Sequence, residues 1–377
     1  MAMTLDQLST VLHQFFQDKL PGAGGATPGS VLLVLDGLGI PLTAGEFGVG
    51  GSDAQQQLLS HQRASQLADQ LPAMNALKAG WYVKQQGSRL SRWYRSVVTQ
   101  SVCTSPTDQD KAAFEARKAA AGEALDLNAL PEVAGATPAG PTVDPTGVAD
   151  TLYATGMAPP NWYQAGADVW ETHRITGKDT APAAAGTPLP VPELDVHLAL
   201  EPRAANPTLA GPDAAPGFAT MPLGAVTGSE SMVALLPTPP GLGALIGPVG
   251  PPPKPPGFSV AFDYCIVSFD RPWWDEVFVS TGNWSVPGFG RAQIASGDGG
   301  NPAAAVPLIT TGMVVIRNLA ITAAWTDSDR QMLSTDAASL GPFSTLDASF
   351  NDQTLTRQGM QAIAWICQVP PALPPAQ

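Results

Sequence analysis

The chain has 377 residues, with 38 Gly, 38 Pro, 14% charged side chains and a net charge of −13. That length accommodates a sizeable core and more than one domain, and the acidic balance argues against a general nucleic-acid binder. Cys103, Cys265 and Cys367 are too widely spaced for a disulfide framework or a zinc signature, so buried, reduced thiols and no metal cofactor are expected.

Charged residues are sparse against the usual value of about 25%. Such a composition suits long ordered loops packed on the surface, or surfaces covered by partners. The N-terminal stretch lacks a basic region followed by an apolar run, and no window of about 18 apolar residues occurs, so neither a Sec signal nor a transmembrane helix is expected. A cytoplasmic protein, or one exported by a signal-less route, fits these features.

Residues 4–20 carry Leu5, Leu8, Leu12, Phe15 and Phe16 at helical spacing, with Pro21 and Gly22 as a stop. Residues 30–35, SVLLVL, form a short buried strand ending at Asp36. The glycine-rich run 36–51 lacks a full GxGxxG and a Lys-Ser/Thr pair, so it is expected to be a conformationally demanding loop rather than a nucleotide cradle. Residues 52–79 are read as helix, with Leu58, Leu59, Leu67, Leu71, Met74 and Leu77 as the apolar stripe and a kink at Pro72. Helix is expected again over 81–102, and a further helix over 108–124, capped by Thr107.

Residues 70–107 contain no Asp or Glu but hold Lys78, Lys84, Arg89, Arg92 and Arg95. Arg89, Arg92 and Arg95 recur every third residue with Trp93 and Tyr94 between them. This basic helix fits an anionic surface such as a membrane, an acidic partner, or the chain's own surplus acids.

From 131 to 257 Pro, Gly, Ala and Thr dominate. Tyr153, Trp162, Tyr163 and Trp170 mark a part that packs, and 194–200 alternates as a strand. Residues 225–257 are apolar yet full of breakers and end in a polyproline segment, which reads as a long loop or linker. Within it, 232–249 is the stretch a membrane-inserting reading would use.

The C-terminal third is organised around 258–286. Val260, Phe262, Tyr264, Ile266 and Ser268 alternate with Ala261, Asp263, Cys265, Val267 and Phe269, and the composition of both faces predicts a strand buried on both sides. Pro272 ends the strand after Arg271. If the chain stays extended, Trp273 and Trp274 point to opposite sides, one into the core and one towards a partner-binding face. Strands are also expected at 312–325 and 359–369. The fold class is therefore α+β: a mainly helical 1–130, an irregular 131–257 with few strands, and a 258–377 domain built as an antiparallel sheet or sandwich.

No familiar catalytic motif is present. His13, His61, His173 and His197 are dispersed. Asp263, Asp270, Asp275 and Glu276 flank the Trp pair, an arrangement found in sugar-cleaving sites, although strand-corner ion pairs and turn bonds use the same residues. Residues 296–301, SGDGGN, lack the alternating acids of a calcium loop. Three expectations follow. The first is a non-enzymatic structural or interaction protein, such as a subunit of an assembly, with a protein partner or self-association through Arg271, Trp273, Trp274 and the Arg89–Arg95 segment with Trp93. The second is a membrane-active toxin or effector, and the third a hydrolase using the acids near the Trp pair.

Overall fold

The computed structural model describes residues 5–20, 28–72, 81–82, 84–131, 151–176, 258–298, 304–334 and 339–375. In chain order the first half runs α1 (Leu5–Lys19), β1 (Val31–Leu42), a 3₁₀ turn (Ala44–Phe47), α2 (Asp53–Ala68), β2 (Gln70–Pro72), β3 (Trp81–Tyr82), β4 (Lys84–Arg89), α3 (Leu90–Gln100), β5 (Val102–Cys103) and α4 (Asp108–Leu127). Then follow β6 (Gly156–Ala158), β7 (Glu171–Thr176), β8 (Ser259–Asp270), α5 (Glu276–Ser280), β9 (Trp284–Ser285), β10 (Ile309–Thr322) and α6 (Asp327–Ser334). The chain closes with β11 (Ser339–Leu340), β12 (Phe343–Ser344), β13 (Ser349–Asn351), β14 (Thr354–Arg357) and β15 (Met360–Gln368). Helices at the N-terminus and a mostly antiparallel sheet make the fold α+β. No helix among the described residues is long and apolar enough to cross a membrane.

One sheet dominates. β8 and β10 lie side by side; β6 and β7 extend the free edge of β8, and β15 with β14 extends β10. β1 pairs antiparallel with β15, so the N-terminal region supplies a strand to the sheet built by the C-terminal third.

The alternation along β8 separates two cores as its composition predicts. Val260, Phe262 and Tyr264 join Leu8, Leu12 and Phe16 of α1 on one face. Cys265, Val267 and Phe269 join Leu67 of α2, Phe47, Trp162 and Tyr163 on the other. β10 keeps its apolar residues on the α1 side through a bulge. Arg317 pairs with Asp263 but Ala320 with Ala261, so one extra residue flips the parity and returns Leu319 and Ile321 to the face of Val314 and Ile316.

The glycine-rich run behaves differently from the expected loop. β1 continues through it to Leu42, because β15 offers a ladder on both sides of a bulge between Leu35 and Ile40. Asp36 folds inward there and accepts hydrogen bonds from the N–H groups of Leu38 and Gly39 and from Trp365 Nε1 at 2.9 Å. Gly39 has φ +61°, and a Cβ on it would lie 2.6 Å from the Pro342 carbonyl oxygen.

The helix expected over 52–79 stops at Ala68, and Leu71 and Pro72 belong to β2, which pairs with β4. Likewise 81–102 is strand before it is helix: α3 begins only at Leu90. Thr107 does cap α4, its hydroxyl accepting from the Asp110 N–H. The strand expected at 194–200 and the segments 225–257 and 232–249 lie outside the described residues.

Thr176, the last residue of β7, pairs with Ser259, the first of β8. The described residues that flank 177–257 thus meet at one rung of the sheet. Replacing 177–257 by a short glycine-containing turn should preserve the near-ultraviolet circular dichroism and a cooperative melt, since loops of a few residues suffice to close such a hairpin. Collapse of the near-ultraviolet signal in that variant would overturn this reading of the register.

Candidate functional site

A third core lies beside the sheet, built by α3, α4, Trp273, Phe278, Trp284, Ile294 and Leu373. Arg271 stands where β8 hands the chain to it. Its guanidinium donates from Nη2 to the carbonyl oxygens of Ala68, at 2.7 Å, and Thr310, while Nε is buried. The expected corner ion pair is replaced by this inward reach. Burial lowers the Arg271 pKa to about 10, with Asp69 pulling the other way, so it remains charged at neutral pH.

Asp69 ends α2 and is 2% exposed. It accepts from the Ser91 N–H at 2.7 Å and the Ser91 hydroxyl at 2.5 Å, holding the first turn of α3. Burial pushes its pKa up to about 6 against the bonds from Ser91 and the charges of Arg89 and Arg271. The backbone around it is equally engaged: Leu90 N–H donates to the Asp69 carbonyl and the Thr310 hydroxyl to that of Gln70.

Trp273 and Trp274 do not sit in extended chain. Trp274 N–H donates to the Arg271 carbonyl at 2.9 Å, closing a turn, and a short helix rather than a strand follows. Both indoles consequently pack on the same core. Trp273 is 1% exposed, 5.6 Å from the Tyr153 ring, and Trp274 is half-buried with its ring 4.7 Å from that of Tyr94. Asp275 caps α5, accepting from Val277 and Phe278 N–H, while its own N–H donates to the Tyr94 hydroxyl at 3.0 Å.

The basic segment is divided. Arg89 closes β4 as the N-cap of α3 and faces Asp69 electrostatically, whereas Arg92 and Arg95 lie on the helix. Arg95 donates to the Tyr153 hydroxyl at 3.0 Å. Trp93 is half-buried, edge-on to Phe289 at 5.9 Å. Next to Phe289 is a cleft of about 360 Å³ lined by Trp284, Ser285, Gly290, Arg291, Pro374 and Pro375. The structure therefore gathers Arg271 and Arg89 around Asp69, and Trp273 and Trp274 around Tyr94.

The other candidate acids are dispersed. Asp263 lies on the sheet, accepting from Thr172 and Asn318 at 2.7 Å each. Burial raises its pKa, but those bonds and the Arg317 charge win and hold it below the usual range. Asp270 and Glu276 are exposed. Burial lifts the Cys265 thiol to about 11 and Cys367 to about 12, which keeps both protonated and unreactive at neutral pH. His13 Nε2 and His61 Nδ1 meet the carbonyls of Leu33 and Thr155 at 3.1 and 2.8 Å, and His173 stacks on Phe15. Among the described residues no group of three or more His, Cys, Asp or Glu could hold a metal ion. Comparisons with protein-family models, curated proteins and solved structures find no match.

Asp69, Ser91 and Thr310 are absent from the residues that sequence singles out, and Tyr94 stands out there only as a neighbour of the spaced arginines. The one available signal is that Asp69 is the last acid before the acid-free run 70–107.

Two predictions concern this seam. Trp273→Ala should destabilise by about 3–5 kcal/mol, as loss of a buried aromatic does, and Trp274→Ala by about 1–2 kcal/mol. Urea melts provide the measurement, and a Trp274 loss below a few tenths would remove the indole from the core. Asp69 binds protons more tightly folded than unfolded. Its contribution to stability therefore falls as pH rises from about 4 to about 6, by roughly 3 kcal/mol, and is level above. The stability difference between wild type and Asp69→Asn should shift against wild type over that interval, and a flat difference would contradict the assignment.

Proposed function

We propose that the protein is non-enzymatic and works by contact with protein surfaces, either a partner or further copies of itself. The observation that carries this reading is the half-buried aromatic surface of Trp93, Trp274 and Phe289 beside the cleft with exposed Arg291. Aromatic and Arg side chains are the groups enriched at protein interfaces and at their energetic centres. The ionisable groups near them support the same view. Arg271, Asp69 and Asp275 are engaged by backbone and side-chain bonds of the fold itself. Arg89 faces Asp69 and Arg95 binds Tyr153, which favours protein contact over lipid headgroups as the use of the basic segment.

Light scattering and sedimentation velocity on the purified full chain at micromolar concentration test this. Concentration-dependent assembly that Phe289→Glu reduces, with the melting temperature retained, is the expected result. A clean monomer that binds no hydrophobic dye would count decisively against self-association and against an exposed contact face.

A further inference from the structure

No further inference is drawn: the strongest candidate, the cleft between Phe289, Arg291 and Pro374 beside Trp93, is an open aromatic face, and nothing in the structure shows what covers it.

Discussion

The pairing of β8 with β10 places two long strands side by side with an apolar cluster on each face. Such a pair cannot stand at a surface, so each face requires a cover. Helix α1 supplies one through Leu8, Leu12 and Phe16; α2, Phe47 and the Trp162–Tyr163 turn supply the other. Each buried aliphatic or aromatic side chain contributes about 1.5–3 kcal/mol of transfer free energy. Bulges in β10, β15 and β1 keep these contributions on the correct faces. Parity errors would otherwise turn a whole row of apolar residues outward.

The second constraint is electrostatic. The chain must pass from the sheet into the core of α3 and α4, and it does so at Arg271. A buried guanidinium is tolerated because two carbonyl oxygens accept from it and a carboxylate lies near. Asp69, in turn, is held by the first turn of α3, where N–H groups lack helical partners. Sheet, α2 and α3 thus meet through polar groups inside apolar surroundings. Joints of this kind are costly to break from one side only, because the remaining charge is left buried and unpaired.

How much of this could be read from the sequence differs by scale. The two-faced burial of β8 was visible because aromatic and β-branched residues alternate in unbroken register from Val260 to Phe269. The corner at Arg271 was visible because Pro272 lacks an N–H. The direction of the indoles was not, since it depends on a turn bond from Trp274 and on Tyr94, far away in the chain. Leu71 mimicked the continuation of a helical stripe, yet it is buried from a strand paired with β4. The run after Asp36 looked like loop because the ladder that makes it a strand is supplied by β15. Asp69 and Ser91 make their bonds across a gap that carries no sequence pattern.

The partnership of β1 with β15 also sets an order of events. Val31 pairs with Gln368, so the strand is made long before its neighbour exists. At ~5–20 residues per second of synthesis, on the order of 20–70 s separate the two. During that interval VLLVL of β1 has no antiparallel partner, and the parallel contact with β3 covers only Leu35 and Asp36. The nascent chain therefore carries an apolar strand without its antiparallel neighbour until β15 has been made, and only then can the β1–β15 ladder close.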